Sequence, residues 1–534
     1  MDLISNTSRS DTTLAQAAAA LAVSNPLATA ILFDDGTSLS YADAWERAQR
    51  LALAMQRSGL EPGDTLSFQL PNRVEAVVIA LAASICGLVI NPVVPIYRGR
   101  ELSFILKDAR TRIAFIPGVY RSFDFPAMLE ELRPSLPQLE FVVCIGAEGE
   151  LPEGFVTFEA FCEAGGAGEG EAAMADVSAD DTKILLYTSG TTGYPKQVRH
   201  SHNTLAKALD NGATGWGLSA SDLMLMPSPV THITGYVNGI ELPFFSATRS
   251  LLMEAWIVDR AISLIETYGA TVCVSATPFL KELVDTCREA ENPLPGFRLF
   301  ACGGASVPPD LIYSASEVLA DCTAVRVYGS TEVPLVTVGF PDPEQKTLAA
   351  ETDGRVHNYD VIICDDGGAD LGLDADGEIL VRGPAMMLGY GDASQNRSAF
   401  TDDGYFRTGD IGRLLASGAI VITDRKKDII IRGGENLSAR EIEEAILLHP
   451  AVSEAAVVSA PHERLGEGVA VYVVPRPQRT LSLDDILEHL GELKLAKQKW
   501  PQHLEIAASL PKTASGKVQK EILRQQLRDA ELRL

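Results

Sequence analysis

Short apolar runs, among them Ala114-Phe115-Ile116, Phe141-Val142-Val143, Ile184-Leu185-Leu186 and Val272-Cys273-Val274, alternate along the chain with longer stretches whose apolar positions recur every three or four residues. The short runs predict buried strands, and the longer periodicity, as in 42–58 and 261–268, predicts amphipathic helices. That alternation predicts an α/β fold. The apolar stretch 76–90 falls short of the roughly 20 residues a membrane span needs, so it reads as a buried helix and no membrane span is expected. A Gly/Ala/Glu-rich stretch at 146–181 reads as a solvated surface loop. Its Gly165-Gly166-Ala167-Gly168-Glu169-Gly170 looks superficially like a dinucleotide fingerprint, but no strand leads into it. Beyond Asp424-Arg425-Lys426-Lys427-Asp428 the pattern restarts with a short strand, a Gly433-Gly434 turn and a helix at 439–448. Strands at 454–458 and 469–474 and helices at 484–493 and 520–528 complete a small α+β unit.

Length and charge narrow this further. A chain of 534 residues exceeds one hydrophobic core and predicts two or more domains. The formal charge of -26 argues against nucleic acid as a partner, which needs clustered Lys and Arg. An anionic small molecule would need a local basic pocket. Eight cysteines without metal-ligand or C-x-x-C spacing read as reduced core residues of a cytoplasmic protein. The N-terminus, with Asp2 and Asp11, lacks the basic and apolar regions of a secretion signal.

The chemistry concentrates in Tyr187-Thr188-Ser189-Gly190-Thr191-Thr192-Gly193-Tyr194-Pro195-Lys196-Gln197-Val198, which follows a predicted strand. Small residues let backbone amides approach a polyanion, the hydroxyls of Thr188, Ser189, Thr191 and Thr192 donate hydrogen bonds, and Lys196 adds a mobile charge. The spacing is not that of a P-loop. On composition alone a solvated connector is an equal alternative. Three more segments decide between them: Tyr328-Gly329-Ser330-Thr331-Glu332; Tyr405-Phe406-Arg407-Thr408-Gly409-Asp410 with Asp424-Arg425; and Pro511-Lys512-Thr513-Ala514-Ser515-Gly516-Lys517. With the first loop, and in this order, they resemble the adenylate-forming enzymes, the superfamily of acyl-CoA synthetases, luciferases and nonribosomal adenylation domains, along nearly the whole chain.

The resemblance implies a large N-terminal multi-subdomain α/β body, 1–424, a hinge at 425–427 centred on Lys427, and a smaller mobile α+β lid, 428–534. It implies ATP, Mg²⁺ and coenzyme A as cosubstrates and a small carboxylate as substrate, with a homodimer left open. Thr188, Ser189, Gly190, Thr191, Thr192 and Lys196 would grip the departing phosphates. Gln197 stands where the family usually has Gly, so the exit of the turn is expected to differ slightly. Gly303, Gly304 and Ala305 would shape the adenine wall, with Tyr328 stacking on the base beside Gly329 and Ser330. Thr331 would meet the α-phosphate, Glu332 the Mg²⁺, and Asp410 and Arg425 the ribose. Lys517 would bridge carboxylate and α-phosphate, with Gly433, Gly434 and Glu435 lining a pantetheine tunnel once the lid has turned.

The acid itself is less legible. His232 holds the family's aromatic gate position, followed by Ile233 where amino-acid-activating relatives carry an Asp, which disfavours amino acids. Val230, Ile233, Tyr236, Val237 and Ile240 suggest an apolar pocket, and Gly235 and Gly239 suggest room for a chain or ring. The segment is similar to ligases of medium-chain and alicyclic acids. Aryl, long-chain and steroid side-chain acids stay open, as does transfer to a carrier-protein thiol instead of CoA.

Overall fold

The computed structural model describes residues 11–164, 170–188, 195–246, 248–513, 517–530 and 534. The apolar runs form the interior strands of two sheets. One has eight strands in the spatial order Gly389–Tyr390, Lys196–Ser201, Thr182–Thr188, Val89–Pro92, Thr65–Phe68, Thr111–Pro117, Phe141–Ile145 and Phe155–Thr157. The other has seven: Thr323–Val327, Leu299–Gly303, Val272–Ala276, Leu223–Met226, Arg249–Leu252, Thr29–Phe33 and Ser38–Ser40. Both are parallel through their interiors, with helices on their faces, as strands buried on both sides require. One apolar core runs through both sheets.

The predicted helices appear as Tyr41–Arg57, with a capping box on Ser40, and Val258–Tyr268. The stretch 76–90 divides. Residues 76–86 are buried in the helix Val74–Cys86, and the chain then turns at Gly87 into the strand Val89–Pro92. Gly87 has φ +66°, and a Cβ there would lie 2.8 Å from Val177 Cγ1, so both conformation and space demand glycine. No described helix is long and apolar enough to cross a membrane.

The loop expected at 146–181 is partly wrong. It contains the strand Phe155–Thr157 and the helix Phe158–Ala164, because Phe161 packs edge-on against Phe115 and Phe141 and anchors the segment to the sheet. Of the glycine-rich run, 165–169 lies outside the described residues.

A four-stranded antiparallel sheet, Asp360–Cys364, Gly377–Arg382, Phe406–Leu414 and Ile420–Arg425, closes the body. The smaller C-terminal unit carries its own sheet, led by Val452–His462 and Gly466–Pro475, and buries Ile442, Ile446, Val457 and Val471 on one side and Tyr472, Leu523 and Leu527 on the other.

One buried ion pair ties these layers together beside the site. Lys183, on the strand Thr182–Thr188, pairs with Glu241 at the end of the π-helical segment Tyr236–Glu241, and both side chains are within 3% of full burial. Burial pushes the ammonium below and the carboxyl above their usual ranges while each charge holds the other. Removing one partner of such a pair strands a buried charge. Lys183→Met is expected to lose about 3–5 kcal/mol in urea unfolding, and Lys183→Met/Glu241→Leu to regain most of it. A double variant as weak as the single one would show that the pair is not what links these elements.

Candidate active site

The hydroxyl-rich segment forms the tip of a hairpin. Thr188 ends one strand, Lys196 begins the next, and the register sets Thr188 opposite Lys196 and Tyr187 opposite Gln197. Ser189, Gly190, Thr191 and Thr192 lie outside the described residues. At the stems the Gln197 amide donates to the Tyr187 hydroxyl at 2.8 Å and to Asp108 Oδ2 at 3.0 Å, and the Tyr187 hydroxyl donates to the same oxygen at 2.7 Å. Gln197 also fills the space beside Gly391, where a Cβ would lie 2.2 Å from Gln197 Oε1. A larger residue than the expected glycine is therefore accommodated by a glycine across from it.

Two parallel strands deliver the adenine-side residues. Leu299–Gly303 and Thr323–Val327 pair with Gly303 opposite Val327, so Gly303-Gly304 and Tyr328-Gly329 emerge together at the carboxyl ends of the strands, where open α/β sheets form ligand crevices. Close approach explains the glycines. A Cβ on Gly303 would lie 2.5 Å from the Val327 carbonyl oxygen, and one on Gly329 would lie 2.4 Å from Leu335 N. Ala305 is exposed just beyond and does not line the cavity.

The antiparallel sheet supplies the charges. Asp410 and Arg425 are register partners, and Arg425 Nε reaches Asp410 Oδ1 at 2.9 Å. Tyr328 donates its hydroxyl to the other carboxylate oxygen at 2.7 Å, linking this sheet to the parallel one. Tyr390, unforeseen in the sequence, donates to Glu332 Oε1 at 2.9 Å while its ring faces Lys196 Nζ at 4.9 Å from the centroid. Lys196 and Glu332 thus share one tyrosine.

Lys517 comes from the lid. Its Cε lies 3.6 Å from where a Gly304 Cβ would be, inside a cavity of about 980 Å³ of open space also lined by His232, Ile233, Gly303, Tyr328, Gly329, Ser330 and Thr331. Its ammonium is pulled down to about 8, chiefly by burial and then by Arg425 and Lys427, against the pull of Asp410 and Glu332. His232 is held to about 4 by burial and by the Lys517 charge, so its ring is neutral at neutral pH. Its Nδ1 accepts the Thr234 amide at 3.3 Å, leaving Nε2 to carry the proton.

Polar contacts join the smaller C-terminal unit to the body. Arg440 donates to the Ile422 carbonyl at 2.8 Å and approaches Asp353 at 3.5 Å, and Ser306 donates to Glu444 at 3.1 Å. Lys427 lies between Arg425 and Asp428, and Arg524 pairs with Asp428. Gly433 and Gly434, with φ +62° and +90°, turn into the strand Glu435–Leu437, and none of Gly433, Gly434 and Glu435 lines the cavity in this lid pose.

Several acyl-pocket expectations need correcting. Gly235, Tyr236 and Gly239 face the core. A Cβ on Gly235 would meet the Pro229 carbonyl oxygen at 2.1 Å and one on Gly239 would meet Leu252 at 2.7 Å, so these glycines make room for packing rather than for an acid. Tyr236 is fully buried, and its ring lies 5.7 Å from Lys183 Nζ. Of the expected apolar residues Ile233 and Val237 line the cavity while Val230 and Ile240 are buried in the core, and Thr234, Asn238, Ala208, Trp216, Val274, Phe279, Pro334 and Leu335 complete the wall. Among the described lining residues Lys517 alone is charged.

Known proteins resemble this chain in sequence and in fold. Residues 18–391 match the sequence model of the AMP-binding enzymes, and 441–517 match that of the AMP-binding enzyme C-terminal domain. The medium-chain fatty-acid–CoA ligase of Escherichia coli K12 is 32% identical over 502 residues, covering 93% of this chain and 87% of that protein. A 3-[(3aS,4S,7aS)-7a-methyl-1,5-dioxo-octahydro-1H-inden-4-yl]propanoyl:CoA ligase of Rhodococcus jostii RHA1 is 30% identical over 502 residues, covering 92% and 95%. The crystal structure of ATP-bound MatB from Rhodopseudomonas palustris superposes with a TM-score of 0.86 at 28% identity, over 98% of this chain and all of that one. With both models matched in order, the first over more than half of the chain, this chain belongs to the AMP-binding enzymes.

Proposed function

We propose that this chain is an ATP-dependent acid:CoA ligase that activates an apolar carboxylate bearing no second charge, passes through an acyl-adenylate, and releases AMP and pyrophosphate. The observation that carries this reading is the Lys517 ammonium inside the body cavity, between the Gly303–Thr331 wall and His232, with Asp410 and Glu332 as its nearest opposing charges.

A carboxylate is a weak nucleophile, and its approach to a triphosphate is opposed by charge. Positioning and electrostatics must supply most of the rate. Lys517 would touch both the substrate carboxylate and the α-phosphate. One carboxylate oxygen attacks the α-phosphorus, the bond to the bridging oxygen breaks, and pyrophosphate leaves toward Thr188 and Lys196. Thr331 would hold the α-phosphate, Tyr328 with Gly303 and Gly304 the adenine, and Asp410 with Arg425 the ribose. Glu332 is a single carboxylate, and no cluster of three metal-binding side chains occurs among the described residues. That suits Mg²⁺ carried mainly by nucleotide phosphates, where it neutralises developing charge. Neutral His232 would donate a hydrogen bond to the acyl oxygen and is not required as a base.

The second half-reaction needs the lid to turn about Lys427, releasing the Arg440 and Glu444 contacts and bringing Gly433, Gly434 and Glu435 to the cavity. The CoA sulfur then attacks the acyl carbon, and AMP leaves. The lining favours aliphatic or alicyclic acids. It offers neither a second cation for a dicarboxylate nor a carboxylate for an ammonium. The printed names of the two relatives above, a medium-chain fatty acid and a fused-ring propanoate, support the same class.

Incubation with ATP, Mg²⁺, CoA and a panel of apolar acids is expected to release AMP and pyrophosphate in step with thioester. ADP as product would overturn the mechanism, and turnover only with a carrier-protein thiol would replace CoA as acceptor. Lys517→Ala is expected to lower adenylation by about 10²–10³, while conversion of supplied acyl-adenylate to thioester changes little. Equal losses in both halves would remove Lys517 from its assigned place. Because the ammonium titrates at about 8, kcat/KM for ATP is expected to fall as pH rises through that value. In Lys517→Arg the residual rate should not show that descending limb. A limb of the same pKa in the arginine variant would assign the titration to another group.

A further inference from the structure

Resting on the ligase reading, we infer that Trp216 is the floor of the acyl cavity and sets the length of acid that this enzyme accepts. A carboxylate pinned at Lys517 leaves its hydrocarbon to fill the remaining part of the cavity, where Ala208, Trp216, Val237 and Leu335 are walls. Ala208, Gly212 and Trp216 recur every four residues and so form one stripe of the helix His202–Gly215 and its C-cap. Helical side chains lean toward the N-terminus, which lays the indole back over Gly212. A Cβ on Gly212 would lie 2.9 Å from Trp216 Cζ3 and 3.3 Å from Leu335 Cδ2, so the missing side chain is what admits the ring.

The ring is fixed as well as fitted. Its indole N–H donates to the Val338 carbonyl at 2.9 Å, and Trp216 is only 2% exposed, so it presents hydrocarbon alone to the cavity. Leu335 faces it from a strained backbone, φ +51°, a region costly for a branched side chain. That conformation is tied by the fully buried Asn211, whose amide donates to the Leu335 carbonyl at 3.3 Å. A wall that combines a glycine cut-out, an oriented indole and a strained leucine is a rigid stop.

The test is the length profile of purified full-length Trp216→Ala and Trp216→Phe on even-numbered saturated acids from butanoate to octadecanoate, scored as kcat/KM by AMP release. A buried tryptophan covers about 150–250 Å², equivalent to several methylenes. The optimum of Trp216→Ala is expected to move roughly four carbons longer, with KM for ATP within about twofold of wild type. Trp216→Phe is expected to move the optimum less, in the same direction, and it decides the matter if the alanine variant fails to fold. An unchanged optimum, or one moved to shorter acids, with ATP binding intact would overturn the inference and leave the ligase reading standing. A wild-type enzyme that releases AMP with none of these acids would instead sink the ligase reading and this inference with it.

Discussion

A single ammonium, brought by the lid into a cavity of the body, is the constraint around which the rest is arranged. Burying a cation is costly unless opposing charge is close, and burial pulls the Lys517 ammonium down to about 8. Asp410 and Glu332 draw it in, while Arg425 and Lys427 push it back. Before substrate arrives the lysine is therefore held by a near balance. On the ligase reading proposed above, a triphosphate and a carboxylate would favour the charged state of Lys517.

The fold supplies each counterpart for a local reason. Parallel strands must carry their ligands at their carboxyl ends, and the register of Leu299–Gly303 with Thr323–Val327 brings two glycine turns to one edge. Antiparallel pairing sets Asp410 across from Arg425, and the Tyr328 hydroxyl joins that ladder to the parallel sheet. Tyr390 performs a similar service for Lys196 and Glu332. Arg440 and Glu444 join the C-terminal unit to the body through the Ile422 carbonyl and the Ser306 hydroxyl.

What the sequence showed plainly was whatever local chemistry determines. Apolar runs marked the strands, whereas the hydroxyl-rich loop by itself reads equally well as a solvated connector, and only its likeness, together with three further segments, to a known family pointed to a nucleotide. The acyl side was misread for a physical reason. Gly235 and Gly239 serve packing against Pro229 and Leu252, and nothing in the sequence distinguishes a glycine that admits a neighbour from one that admits a ligand. The π-helical turn at Tyr236–Glu241 further shifts which residues face inward. Trp216 and Leu335 reach the cavity by contacts distant in sequence. Likewise Phe161 turned an apparent loop into a helix through rings that periodicity does not reveal.

The most direct measurement is the titration of the Lys517 ammonium itself, read by NMR on lysine-labelled protein with Lys517→Arg to assign the resonance. A midpoint near 8 that climbs when a nonhydrolysable ATP analogue binds is the result this account requires. A midpoint at the ordinary lysine value of 10.5, unmoved by nucleotide, would place the ammonium in solvent and contradict it.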